Sequence, residues 1–250
     1  MYFIEIFIIV FLGLILGSFS TALIYRIPRK LFWVSARSAC VSCKSKLGAV
    51  DLIPVISWCI FKGKCRRCSS KISCKYPLLE LVSVFLCLAI YFVFGVSAES
   101  LFLIISVPIL LSLFVIDLEH MILPNQLTLI LFIIGGLRVV YNYVSNDGYY
   151  ALDYIGGAFV YALFSWGIGV LFTKLLKKDA LGLGDVKFFG VAGVWLGVSA
   201  LSHFLILSGG LAVLFALFWR VIFKTEVFPF GPALIMSFYV LLLLQGSFFT

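Results

Sequence analysis

The chain has 250 residues, of which 63% are hydrophobic and only 12% charged. A soluble domain carries about 25% charged residues, so the composition excludes an ordinary soluble protein. It specifies an integral membrane protein with one membrane domain and at most a small soluble insert. The net charge of +8 is unevenly placed: 12 of the 19 Lys and Arg lie between Arg26 and Lys75, where Asp51 is the only acid. That stretch therefore carries +11 and the remainder −3. A basic block can signal nucleic acid, but beside a membrane helix it marks the cytoplasmic face. Anionic headgroups attract it there by about 1 kcal/mol per well-placed cation. Membrane lipid is the expected partner and nucleic acid is not.

The first apolar run, 2–25, is too long for a signal-peptide core and lacks a basic leading region and a clear small-residue cleavage site. It reads as a retained membrane helix. The basic loop 26–76 follows, with Cys40-x-x-Cys43 and Cys65-x-x-Cys68 separated by 21 residues. Two such knuckles suit tetrahedral coordination of a structural Zn2+ ion by four thiolates. The gap slightly exceeds the usual ribbon spacing of about 15–20 residues. The loop has few apolar residues with which to build a core, so a metal staple suits it. Cys59 and Cys74 flank the second knuckle and are alternative ligands. The competing reading is two redox thiol pairs, which a reducing cytoplasm disfavours. Cys87 lies within the second helix, as a small buried apolar residue would.

Further runs of spanning length lie near 77–95, 101–118, 127–143, 151–173, 186–200, 203–223 and 229–248. These predict an all-α polytopic membrane protein with about eight transmembrane helices and a small cytoplasmic zinc-binding insert after the first. Seven spans result if 186–223 is organised differently. The expected division is 1–25, a first transmembrane helix; 26–76, a basic, zinc-binding four-cysteine loop; and 77–250, the main membrane domain. The sixth run is short, and its Gly190, Gly193 and Gly197 predict close helix packing.

The positive-inside rule supports this map. With Arg26–Lys75 inside, the inner connections collect Lys174, Lys177, Lys178, Arg220 and Lys224, with Lys187 at an inner helix end. The outer connections near 96–100, 144–150 and 200–202 contain no Lys or Arg. Arg138, toward the outer end of the fourth helix, is the one misfit.

The map also puts two carboxylates at one depth. Asp117 ends the third helix at the inner face, and Asp185 begins the sixth from the same face, 68 residues later. Ionisable groups at such depths are costly and usually functional. Two carboxylates sharing a proton are the working part of an aspartic protease. Gly182 and Gly184 permit backbone conformations and close approaches that a side chain would block. The structural alternative for Asp185 is a helix N-cap. Asp117 at a helix C-terminus opposes the dipole, which disfavours a purely structural role. Pro124 predicts a helix break before the fourth helix. Lys187 either snorkels to the interface or tunes Asp185. Pro229 and Pro232 shape the entry to the last helix, and Glu80 caps or ion-pairs at the start of the second.

Several stretches together resemble the bacterial type IV prepilin peptidases, the prepilin leader peptidase/N-methyltransferase family of GxGD-type membrane aspartic peptidases. They are Gly17-Ser-Phe-Ser-Thr-Ala-Leu-Ile-Tyr-Arg-Ile-Pro28, the paired knuckles, Ile53-Pro-Val-Ile-Ser-Trp58 and Lys62-Gly-Lys-Cys65. Ile72-Ser-Cys-Lys-Tyr-Pro-Leu-Leu-Glu80, Asp117-Leu-Glu-His-Met-Ile-Leu-Pro-Asn125, Gly182-x-Gly-Asp185-x-Lys187 and Pro229-Phe-Gly-Pro232 complete the set. Each is weak alone; their order and spacing are specific, and they cover nearly the whole chain.

The resemblance implies that Asp117 and Asp185 are the catalytic pair; the residue reading adds Gly182, Gly184, Lys187 and Glu119 as active-site support. It implies an inner-membrane enzyme that cleaves the basic leader of a prepilin or pseudopilin at the cytoplasmic face, after a glycine. Glu119 and His120 are inner-face residues, of which Glu119 is placed to meet the basic leader. It further implies that S-adenosylmethionine serves a second, N-methylating activity. No glycine-rich loop marks a site for that donor. Two departures, Val41 in place of Pro and Thr21 in place of Asn, fall in the portion that distinguishes bifunctional members.

Other classes fit less well. A proton-coupled transporter using Asp117 and Asp185 as a relay predicts polar residues spread through the bilayer centre, and the helix interiors here are nearly free of charge. A thiol oxidoreductase needs oxidising topology. A zinc-bearing assembly scaffold predicts that the two aspartates are dispensable.

Overall fold

The computed structural model describes residues 2–33, 37–145, 151–177, 181–225 and 228–248. Among these, the chain is helical, with α1 (Tyr2–Arg26), α2 (Ile56–Ile60), α3 (Lys75–Phe94), α4 (Ala98–His120), α5 (Asn125–Ser145), α6 (Ala151–Leu176), α7 (Leu183–Leu196), α8 (Leu201–Phe223) and α9 (Gly231–Phe248). The described residues hold no strand, only isolated bridges at Ala39–Lys46 and Lys64–Lys71. The eight long helices coincide with the eight apolar runs. Six of them, α1, α3, α4, α5, α6 and α8, are long and apolar enough to cross a membrane. α7 and α9 are shorter. Large apolar side chains such as Phe3, Leu163 and Val221 are exposed, as lipid-facing residues of a multi-pass membrane protein should be.

Met1–Ser112 and Leu113–Thr250 form two compact units. In the first, α1 packs on α3 with Gly13 against the backbone of Val84 and Gly17 against that of Glu80. The loop after α1 carries the cysteines and the short α2. In the second unit α7 is the central element, and every residue from Phe188 to Leu196 is buried. Its tightest contact is with α6, where Gly157 faces Gly193. A Cβ on either would run into the other's backbone, which is the small-residue packing expected where lipid supplies no hydrophobic drive. Phe238 of α9 meets α7 edge-on at Phe188 (5.7 Å between ring centroids) and at Trp195 (6.0 Å).

Most helix limits differ from the expected runs by a few residues, and two of them have a clear local reason. α4 runs on to His120 rather than stopping near 118. Met121 then turns left-handed (φ 53°) and its amide closes on the Asp117 carbonyl at 2.8 Å. Pro124 is not what ends α4; its carbonyl starts α5 by accepting from the amides of Leu127 and Thr128. α7 covers 183–196 rather than 186–200. Gly197, at φ 78° with its amide on the Gly193 carbonyl (2.9 Å), terminates it, a conformation natural to glycine.

Candidate active site

Asp117 stands on the last full turn of α4 and is only 5% exposed. A carboxylate buried among apolar helices needs donors. Its Oδ2 accepts a hydrogen bond of 2.9 Å from the backbone amide of Gly231. Gly231 opens α9, so the carboxylate takes one of the free amides of a helix start and meets the positive end of that helix dipole. The position admits no side chain: a Cβ on Gly231 would lie 2.6 Å from Asp117 Oδ2. Pro232, next in line, has no amide to leave unsatisfied. The sequence motif Pro229–Pro232 thus does more than shape the last helix. It supplies the donor that holds Asp117. Sequence reasoning missed Gly231; a glycine between two prolines at a helix entry was the available signal.

Asp185 is the third residue of α7. The N-cap is Gly182, so Asp185 is not the N-cap residue of the structural alternative; it stands in the first turn, at the position that the acid of a capping box takes. A Cβ on Gly182 would lie 3.2 Å from Asp185 Oδ2. Gly182 has an ordinary extended conformation (φ −67°, ψ 141°). The role of these glycines is therefore close approach and not unusual backbone. At Gly184, a Cβ would come within 3.2 Å of Leu123 in the loop after α4. α7 and the loop after α4 meet there, which puts Asp185 within electrostatic range of Asp117.

Lys187 takes a role the sequence did not assign it. Its Nζ donates to Asn125 Oδ1 at 2.8 Å, tying the start of α7 to the start of α5. Asn125 closes the Asp117 stretch in sequence, so the bond joins the two acidic motifs. Glu119 and His120 are exposed at the end of α4.

In the first unit, Sγ atoms of Cys40, Cys43, Cys65 and Cys68 all lie within 4.8 Å of one another. The two knuckles share one backbone pattern. The Cys40 amide donates to Ser45 and the Lys44 amide to Cys40; the Cys65 amide donates to Ser70 and the Ser69 amide to Cys65. Lys44 and Ser69 both take the left-handed turn (φ 57° and 55°). Such turns point backbone amides at sulfur, and the Cys43 amide leads the contacts that bring the pKa of the Cys40 thiol down to about 6. Four sulfurs so disposed can hold a metal ion. Cys59 and Cys74 lie outside the cluster, which corrects the expectation that they could substitute. Cys87 is fully buried in α3, as expected.

A multi-pass chain whose described residues are helical, with a buried acid on one helix, a second acid at the start of another, and a four-cysteine insert after the first helix, fits a membrane-embedded aspartic peptidase class. Comparison with known proteins agrees. Residues 11–94 match the Bacterial Peptidase A24 N-terminal domain and residues 101–217 the Type IV leader peptidase family. The chain belongs to the type IV leader peptidase family. It is 33% identical over 238 residues to a prepilin leader peptidase/N-methyltransferase of Vibrio cholerae, covering 91% of this chain and 92% of that one. It is 32% identical over 228 residues to one of Bacillus subtilis, covering 89% and 87%. With one of Neisseria gonorrhoeae it shares 30% over 262 residues, covering 94% and 89%. No solved structure matches.

The Gly231 contact generates a prediction. Gly231→Ala should insert and fold, because α9 is otherwise unchanged, yet lose leader cleavage by about 10–100-fold. That is the size of a lost hydrogen bond to a charged group, about 1.5–3 kcal/mol. Initial cleavage rates per inserted enzyme check it; a rate equal to wild type would show that the contact is idle.

Proposed function

We propose that the chain cleaves the basic leader from type IV prepilins or pseudopilins at the cytoplasmic face of the bacterial inner membrane, with Asp117 and Asp185 as the catalytic pair. The observation that supports this reading is a buried Asp117, held by the Gly231 amide, followed by a loop whose Leu123 packs on Gly184 beside Asp185 at the start of α7. The relatives' names supply the substrate class.

Two nearby carboxylates do not both ionise cheaply, so one retains a proton. The ionised one takes a proton from water, and the water oxygen attacks the scissile carbonyl carbon. The protonated one donates to the carbonyl oxygen, and a proton then passes to the leaving amine as the C–N bond breaks. The pair titrates as a unit. Gly231 keeps one Asp117 oxygen occupied and orients the other toward the reaction. Gly182 and Gly184 leave room beside Asp185 for an extended substrate strand. The leader's positive charges meet Glu119 at the exposed end of α4; Asp179, a further candidate for that role, lies outside the described residues. The functional division is the insert 26–76 as a zinc-stapled, lipid-facing element and 77–250 as the peptidase, with eight membrane helices, of which α7 does not reach both faces, and Arg26–Lys75 inside.

The four-cysteine cluster is suited to zinc: all ligands are sulfur and their mutual distances fit one tetrahedral ion. Its role is to staple a loop that has little apolar core.

The relatives' second activity implies S-adenosylmethionine, and one feature fits it. A cavity of about 670 Å3 in the first unit is lined by Asp51, Trp58, Phe61 and Glu80 beneath a basic rim. Asp51 Oδ1 is buried there without a hydrogen-bond partner among the described residues. Asp51 and Glu80 would hold the donor's ammonium or hydroxyl groups, and the two aromatic rings its base and sulfonium. When bound, that group supplies an electrophilic methyl for the new N-terminal amine.

Asp117→Asn and Asp185→Asn should each insert normally and cleave at least about 10³-fold more slowly, since Asn keeps the size but cannot exchange the proton. Wild-type activity should correspondingly be bell-shaped in pH, lost in acid when both carboxylates are protonated and in base when both are ionised. Near wild-type cleavage by either variant would remove the dyad. Glu119→Lys should slow cleavage of basic-leader substrates more than of leaders whose Lys and Arg are neutralised, and equal loss for both would sink the Glu119 role. Purified protein should contain close to one zinc per chain, and Cys65→Ser should lower metal content and thermal stability together; full zinc content in that variant would show that the cluster is not the ligand set.

A further inference from the structure

Arg138 is the cation that the charge map could not place, and the structure gives it a task. It lies in α5, is 8% exposed, and its Nη1 donates to the carbonyl of Trp195 at 2.9 Å. Trp195 is the penultimate residue of α7. The next carbonyl, Leu196, accepts from Gln245 Nε2 of α9 at 2.9 Å. The Trp195 indole returns a hydrogen bond of 3.1 Å to Leu131 of α5. The guanidinium also lies 5.5 Å from the ring centroids of both Trp195 and Tyr154.

The need for this arrangement comes from length. α7 has 14 residues, about 21 Å of helix at 1.5 Å per residue, whereas a hydrocarbon core is about 30 Å thick. A helix so short cannot bring both ends to water, and carbonyls at a helix end inside the membrane must be satisfied by protein. Arg138 and Gln245 satisfy the last two, and the Gly197 amide takes Gly193. The partner ends are fixed on α5 and α9. α9 is also the helix whose first amide holds Asp117, and α5 is the helix whose first residue, Asn125, takes Lys187.

We propose that Arg138 is a positioning residue for Asp185. It fixes the axial position of α7 from its far end, and with Gln245 sets how far Asp185 projects toward Asp117. Gly157 and Gly193 hold α7 close to α6 along its length, and Arg138 adds a tether at the helix end. A charged, forked donor locked to a terminal carbonyl opposes an axial shift directly.

The inference rests on the peptidase reading for its role in catalysis, but one test does not. In purified protein, Asp117→Cys/Asp185→Cys should form an intrachain disulfide on mild oxidation, read as linked fragments after proteolysis between the two positions. Adding Arg138→Gln should reduce that yield several-fold, and Arg138→Lys should restore most of it. In the native dyad background, Arg138→Gln should lower kcat by about 10–100-fold, the effect of a misplacement near 1 Å. KM should stay within about twofold, and the limbs of the pH profile should move, because carboxylate spacing sets their coupling. Gln245→Leu should give the same pattern more weakly, and it serves if Arg138→Gln fails to fold. An unchanged disulfide yield, or folded variants with wild-type kcat and pH profile, would overturn the proposal. Failure of wild type to cleave prepilin would instead defeat the peptidase reading and leave the crosslinking result to decide the clasp.

Discussion

A carboxylate buried among apolar helices has to be given a hydrogen-bond donor, and Asp117 takes one from a backbone more than a hundred residues away, at the first residue of the last helix. That requirement organises the second unit. The donor must come from a helix start, where amides are free. The helix must approach so closely that only glycine fits. Its first turn must not waste amides, which Pro232 ensures. The last helix is thereby part of the acidic centre, although it carries no acid of its own.

The same rule accounts for α7. It brings Asp185 to the centre, and it is too short to finish in water at both ends. Its carbonyls are taken up by α5 and α9, and its buried face by glycine-on-glycine contact with α6. Each neighbour of α7 therefore answers a different deficiency. α6 offers closeness, α5 offers a cation and an amide side chain, and α9 offers aromatic packing and a second donor. A carboxylate on such a helix is placed by partners at both of its ends. Substitutions far from Asp185 can then act on chemistry without touching substrate.

Much of this is legible in the sequence, and what is not shares a cause. The apolar runs announce the helices, because spanning length is a strong signal, and 68 residues between Asp117 and Asp185 can be folded onto one face by counting spans. The knuckle spacing announces the cysteine cluster and leaves Cys59 and Cys74 as rivals, since sequence spacing cannot show which sulfurs converge. Helix limits differ by a few residues where Met121 and Gly197 turn left-handed. The contacts of Gly231, of Asn125 and of Arg138 are invisible. Each joins residues from 57 to 114 positions apart through a backbone atom or a single side chain, and no local pattern encodes such a pairing. Arg138 nonetheless stands out, as a charge in the wrong place. A misfit of that kind is what a buried functional contact looks like before the fold is known.

The cysteine insert follows a different logic. Its knuckles repeat one another in their backbone hydrogen bonds and in the left-handed residue after the second cysteine, so the turn geometry itself aims amides at sulfur. A zinc ion with four thiolates carries −2, which leaves about nine of the eleven positive charges of Arg26–Lys75 uncompensated. Stabilising thiolates therefore explains only a small part of that charge. A surplus of this size would repel a basic leader, so the leader cannot be what selected it. Anionic headgroups can be: at about 1 kcal/mol per well-placed cation, even half of the surplus would hold the insert firmly on the membrane. On the proposed reading a metal would give the loop its shape and the lipid its place, which is what a segment without a hydrophobic core needs from outside itself.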